Sequence, residues 1–343
     1  MTATTQPSWM ESDLNLPDVH LVSRPYEQGA RTGWSYHYGA VETACSYAGV
    51  HIPADAFDAI WAHGCFPPWL KYSAGTLCYA SPVWKKIPIL AWRKDLADRM
   101  TAEGARNVIL TGAPVLYSDN QARRRIPRSL LVMPTHTLQG QEISDRAALQ
   151  QYADEIAAIA HHFSTVAVCV NAGCRMNGLW HREFGVHSIP VIDGADPGDR
   201  NALARMKSLF SGFESMTTNG WGSHVAYALA FGCRVSIFGN ALSMSRQQYL
   251  KDRTWQLAPG DLDILLAAQS EGLDKKHLAE FCRDPVDGRA NVEMGRFLIG
   301  ADHQLSPHKM KELLVRCSGG AVRHAARQGW DLVRRVAAGW RGP

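Results

Sequence analysis

The sequence predicts an α/β protein made of two Rossmann-like lobes, each a parallel sheet flanked by helices. Between residues 129 and 240, short β-branched or apolar runs alternate with helical repeats across brief turns, the mark of repeated βαβ units. A shorter and less regular alternation fills residues 33–128. The chain is 343 residues long, room for one large or two ordinary domains, and is 46% hydrophobic and 20% charged, a globular composition rather than a disordered one.

Residues 1–32 read as a polar lead-in. In the small first lobe, 33–128, GAVETACSYAGV reads as a helix ending near Gly49, and DAFDAIWAHG as an apolar segment running into a glycine turn. IPILAW reads as a strand, KDLADRMTAEG as a helix stopping at Gly104, and NVILTGAP as a strand with its turn. In the second lobe, 129–316, RSLLVMP is a strand broken by Pro134 and the run from Asp145 to Phe163 a helix. TVAVCV and SIPVIDG are strands with the short helical piece NGLWHREFG between them, and the run 199–213 is an amphipathic helix. ESMTT, GSHVAYALAFG and CRVSIFG complete the set as strand, helix and strand. Around 241–290 the pattern degrades, as expected of an insertion or a crossover back to the first lobe. VEMGRFLIG and SPHKMKELLVR read as helices, the latter with Ser306 as N-cap and Pro307 in its first turn.

The last segment, 317–343, carries an amphipathic basic helix. Val322, Ala326, Val333, Val336 and Trp340 share one face at the helical repeat, and Arg323, Arg327, Arg334, Arg335 and Arg341 fall on the other. Such a helix either packs on the body with its basic face solvated or lies on an anionic membrane surface through 321–341.

A net charge of +4 is too mild to argue for nucleic acid, and none is expected as a partner. The eight cysteines form no C-x-x-C pair and sit mostly in apolar runs, as reduced core thiols do. No apolar run reaches the length of a membrane span, and no secretory signal is visible. The expected location is the cytoplasm, with peripheral attachment to the inner face of the cell membrane.

Four clusters carry candidate chemistry. The first is the turn Ser215, Thr217, Thr218, Asn219, Gly220, followed by Gly222 and Ser223 at the start of a helix. Hydroxyls and backbone N–H groups at a helix N-terminus stabilise an anion, and the carboxyl edge of a parallel sheet is where α/β proteins bind ligands. The competing explanation is an ordinary helix cap; the glycine pair favours a phosphate cradle. The second is Thr135-His136-Thr137, on the same edge if both strands run parallel, where an imidazole donates to a phosphate. The third is His63 in the glycine turn Trp61-Ala62-His63-Gly64, among aromatics that include Phe66 and Trp69. It is placed to act as general base if it faces the cleft, with Glu42, His37 and Asp58 as rivals. The fourth is the segment 171–181, in which Asn171, Arg175 or His181 would contact a base or sugar. For every histidine here a satisfied structural role is the alternative.

The carboxylate pairs are poor. Asp261 and Asp263 open a predicted helix and read as caps rather than as ligands, so no metal site is expected. The chain has no G-K-[ST], G-x-S-x-G, H-E-x-x-H or G-x-G-x-x-G, which argues against P-loop proteins, α/β-hydrolases, zincins and dinucleotide-binding enzymes.

The order of W-x-H-G at 61–64, the IPILAW strand, LLVMP-T-H-T at 130–137 and ESMTTNGWGSHVAYALAFGCRVSIFG at 214–239 resembles bacterial glycosyltransferases of the GT-B fold, of the surface and capsular polysaccharide kind. It is loosely similar to bacterial Kdo- and sialyltransferases, although His136 is followed by threonine where those enzymes carry proline. The resemblance spans residues 33–316. It implies that His136, Thr217 and Thr218 hold a nucleotide phosphate and that His63 lies across the cleft. The expected activity is transfer of a sugar from a nucleotide-sugar donor to a hydroxyl of a surface-polysaccharide or lipid-linked glycan. Its leaving group is stabilised without a metal, and no cofactor is expected beyond the nucleotide-sugar substrate. The alternatives are a CDP-polyol phosphotransferase, a sugar-nucleotide epimerase and a non-catalytic membrane-surface assembly protein.

Overall fold

The computed structural model describes residues 37–52, 56–62, 68–78, 81, 83–119, 124–135, 145–241, 244–272 and 276–318. They form an α/β structure with two all-parallel sheets flanked by helices, as the alternating pattern predicts.

The first sheet has the order β1-β2-β3: Ile60–Trp61, Ile89–Ala91 and Val108–Leu110. Three helices accompany it: α1 (Ala40–Ala48), α2 (Ala74–Leu77) and α3 (Lys94–Ala102). The apolar segment DAFDAIWAHG thus contributes a two-residue buried strand. The second sheet has five strands in the order β6-β5-β4-β7-β8. These are β4 (Ile126–Val132), β5 (Thr165–Val170), β6 (Val191–Asp193), β7 (Phe213–Thr218) and β8 (Arg234–Ile237). The helices between them are α4 (Arg146–Ile159), α5 (Ala172–Met176), α6 (His181–Gly185), α7 (Ala202–Gly212) and α8 (Ser223–Ala230).

The period of two along each strand sorts the second sheet's side chains into two cores. Leu130, Val132, Val168, Val170 and Val191 face one way, into a cluster with Leu149, Tyr152, Ala153 and Ile156 of α4 and Phe184 of α6. Leu131, Ala167, Cys169, Ile192, Met216 and Val235 face the other way and join α7, α8 and the first lobe in the larger core. Burial on both faces explains why these strands read as continuous apolar runs.

The irregular stretch after β8 forms three helices, α9 (Arg246–Tyr249), α10 (Arg253–Leu257) and α11 (Pro259–Ser270). Met244, Tyr249 and Leu262 make a small core of their own. This insertion is fastened to the first lobe. Both carboxylate oxygens of Asp261 accept from the Ser73 backbone N–H, at 3.1 and 2.9 Å, and Oδ2 also accepts from its hydroxyl at 2.6 Å. Trp255 packs edge-on to Tyr72, with ring centroids 6.1 Å apart.

The chain then returns. The helix Val292–Leu298 lies against α8, and the segment after it runs over the carboxyl end of the first sheet. There the Ile299 carbonyl accepts from Ala113 N at 2.8 Å, and the buried Arg93 guanidinium donates to Leu298 O at 3.2 Å. Gly300 sits at φ +63°, where a Cβ would lie 1.7 Å from Trp92 O, so only glycine fits between these backbones. The final described helix, 307–318, ends with Cys317 O accepting from Asp58 N at 2.9 Å, at the start of β1. The boundary expected at 316 therefore falls inside a helix that packs on the first lobe. No described helix is long and apolar enough to cross a membrane. The lead-in 1–32 and the basic stretch 321–341 lie outside the described residues.

Candidate functional site

The second sheet reverses its winding between β4 and β7. From β4 the chain passes over α4 to β5, and from β7 it passes over α8, on the opposite face, to β8. Such a reversal between neighbouring parallel strands marks the usual position of the ligand crevice in an open α/β sheet. Candidates Thr135, Thr218, Asn219, Gly220, Gly222 and Ser223 all stand at the carboxyl ends of these two strands.

Asn219 is the centre of the edge. Its side chain is buried, at 1% exposure. Its Oδ1 accepts from Thr135 N at 2.7 Å and from Thr135 Oγ1 at 2.8 Å, and its Nδ2 donates to Asn240 O at 3.1 Å. One amide thus ties the ends of β4, β7 and β8. Gly220 lies beneath it, and a Cβ there would come within 2.8 Å of Thr135 Oγ1, so the loop packs this closely only as glycine.

The hydroxyl run divides between the two faces of the sheet. Thr217 is buried on the α4 side, where its Oγ1 accepts from Ser236 Oγ at 2.8 Å. Ser215 shares that side, paired with Leu130 and Arg234 well below the strand end. Thr218 points the opposite way, toward α8. Its Oγ1 lies 3.0 Å from His224 Nε2 and donates to Gly220 O at 3.1 Å. All three hydroxyls are buried; Thr218 stands beside the start of α8, whereas Ser215 and Thr217 face the α4 side of the sheet.

α8 opens with Gly222 as N-cap in extended backbone, without a side-chain cap bond, followed by half-buried Ser223 and His224. Its apolar body is buried against the core, so the helix axis is fixed and its positive end is presented at the crevice. Sequence reading gave His224 no role. The available signal was a polar ring in the first turn of an otherwise apolar helix.

At the β5 and β6 ends the character is ionic. Asn171 Oδ1 accepts from Cys174 N at 2.9 Å and so caps α5. Arg175 donates to Asp193 at 2.8 Å, with Asp196 at 3.9 Å. The segment before α1 rests on the loop after β6, with Tyr38 N donating to Pro197 O at 3.1 Å. Burial, with a contribution from Asp196, pushes the Tyr38 phenol up to about 12. Burial lowers the His37 imidazole below its ordinary value, so it is neutral at pH 7. Glu42 is half-buried in the first turn of α1, one helical turn from this contact. His181 is the first residue of α6, with Nδ1 3.4 Å from Leu179 O.

His63, His136 and Thr137 lie outside the described residues. Their immediate neighbours are fixed. Ala62 is buried at the end of β1 with its N–H on Leu90 O at 2.9 Å, and Thr135 is held by Asn219. Asp261 is occupied by Ser73 and Asp263 by Arg246. Among the described residues no group of three or more histidine, cysteine or carboxylate side chains is arranged to hold a metal.

No family model matches the sequence, and no curated protein matches it. Solved structures give looser likenesses. One is the pneumococcal O-GlcNAc transferase GtfA in complex with UDP and GlcNAc, at 9% identity and TM-score 0.33, covering 76% of this chain and 52% of that one. The chain thus spans about half the length of that transferase. Another is the S. aureus MnaA complex with UDP, at 9% identity and TM-score 0.34, covering 88% of this chain and 89% of that one. Both superpositions are too loose to assign an activity to this chain.

Proposed function

We propose that this chain is a glycosyltransferase that moves a sugar from a nucleotide-sugar donor to a hydroxyl of a surface-polysaccharide or lipid-linked acceptor. The observation that supports the reading is the β4–β7 crevice itself. Asn219 clamps the strand end that leads into His136 beside the positive end of α8, where half-buried His224 rests on the buried Thr218 hydroxyl. A diphosphate lodged there would receive charge-directed stabilisation from the helix dipole and from imidazole.

In the proposed reaction a general base, His63 or Glu42, takes the proton of the acceptor hydroxyl. The oxygen attacks the anomeric carbon, and the bond from that carbon to the phosphate oxygen breaks with its electron pair on the nucleotide. His136, Thr135, Thr137 and the α8 turn of Asn219, Gly220, Gly222 and Ser223 would hold that phosphate, with Asn171 on the nucleoside side. A metal is not required by this scheme. The basic stretch 321–341 would hold the enzyme at an anionic membrane where a lipid-linked acceptor resides.

Thermal-shift measurements against UDP, GDP, CMP, CDP and dTDP test the site directly. A ligand at 100 times its Kd adds about 2.7 kcal/mol. A response to none of the five removes the nucleotide reading. In the turnover assay, His136→Ala is expected to lower kcat by about 100-fold with the fold intact. Wild-type turnover in that variant takes His136 out of the mechanism, and loss of activity on adding a chelator overturns the metal-free scheme.

A further inference from the structure

Three separate segments bring aromatic rings together beside the start of α8. Trp221 stands immediately before Gly222, the helix N-cap. Its indole meets that of Trp69, which comes from the first lobe, at 5.4 Å between centroids and 62° between planes. Trp69 also carries the His277 ring from the insertion, stacked at 4.7 Å and 9°. Both tryptophans are half-buried and His277 is exposed, so indole surface remains in contact with water at this point. Both tryptophans also pack against the larger core, which fixes them in place.

The cluster is held rigidly from below. Trp69 lies four residues before Ser73, whose N–H and hydroxyl are fixed by Asp261. Trp221 lies two residues after Asn219, which ties three strand ends. Flat, partly exposed aromatic surface on a fixed base suits a ligand that is apolar on one face and polar at its edge, because little ordering cost remains to be met on binding. A pyranose ring has that character: C–H groups on its face, hydroxyls around its rim.

We infer that Trp69 and Trp221, backed by His277, form a carbohydrate-binding shelf that seats the terminal sugar ring of the acceptor. The inference rests on the transferase reading for the word acceptor. Trp69 comes from the first lobe and Trp221 from the second, so a ring on this shelf would rest between the two, beside the start of α8. The nucleoside side, by contrast, is ionic: Arg175, Asp193 and Asp196.

The test uses the full chain and saturation-transfer NMR titrations with lactose, maltose and chitobiose, alongside nucleotide titrations. At least one disaccharide is expected to bind the wild type. Trp69→Ala and Trp221→Ala should each weaken it by about 10-fold, the equivalent of one aromatic contact, with nucleotide affinity unchanged. Trp221→Phe should restore binding, which separates a stacking role from a folding defect. The inference is overturned if no disaccharide binds the wild type, if both alanine variants bind as the wild type does, or if Trp221→Ala weakens nucleotide and disaccharide equally. If no nucleotide binds but a disaccharide does, and Trp221→Ala abolishes it, the shelf stands and the transferase reading falls.

Discussion

The two parallel sheets end very differently at their carboxyl edges. At the first sheet, the chain's own backbone fills the edge. Ile299 and Gly300 lie against Trp92 and Gly112, and Trp61 Nε1 donates to Gly112 O at 3.2 Å. At the second sheet, a single buried amide, Asn219, closes the strand ends and leaves a helix N-terminus at the rim. Similar strands in parallel sheets thus give a structural seal in one lobe and a candidate binding edge in the other. The difference lies in what the chain sends across the edge, backbone or side chain.

Substitutions at the two edges sharpen that contrast. The largest effect is expected at the seal. Gly300→Ala forces a Cβ into Trp92 O and a left-handed backbone, and should cost about 3 kcal/mol or more in chemical denaturation. A change of a few tenths would show that the edge is not packed as described. Next comes Asn219→Ala, which leaves half-buried Thr135 and the Asn240 carbonyl without the buried amide that joins them. A loss of about 2 kcal/mol is expected, together with loss of any nucleotide-induced thermal shift. An unchanged shift would separate the clamp from the ligand site. The smallest effect distinguishes the two carboxylates of the insertion. Asp261→Ala removes a buried carboxylate and its bonds to the half-buried cap Ser73, and should cost about 1–2 kcal/mol. Asp263→Ala breaks only an exposed ion pair with Arg246 and should stay within about 0.5 kcal/mol. Equal losses at the two positions would mean that the insertion is not anchored through Ser73.

The second lobe was largely legible because parallel strands buried on both faces write themselves as β-branched runs, and TVAVCV and CRVSIF fall on β5 and β8. Strand β1 was not, since two residues carry no period, and the apolar context of Trp61 fits helix or strand equally. Within the site, proximity in sequence misled where alternation decides. Ser215, Thr217 and Thr218 read as one hydroxyl patch, yet a strand sends Thr217 to Ser236 and Thr218 to His224. Asn219 was legible as a polar strand-end residue, but not as the tie between Thr135 and Asn240, because those partners are distant in the chain. Asp261 opens α11 as expected but does not cap it: the N-cap is Ala258, without a side-chain bond, and the Asp261 carboxylate goes instead to Ser73, the N-cap of α2, 188 residues upstream.

That last separation governs the order in which the protein is completed during synthesis. The first sheet's strands are translated early, but their seal at Ile299–Gly300, the Asp261 tie to Ser73 and the Cys317 bond to Asp58 all come from chain made much later. These contacts of the first lobe therefore cannot form until nearly the whole described chain has been made. The α4-side core of the second lobe, by contrast, draws all its fully buried members from residues 130–191 and needs nothing from the later chain.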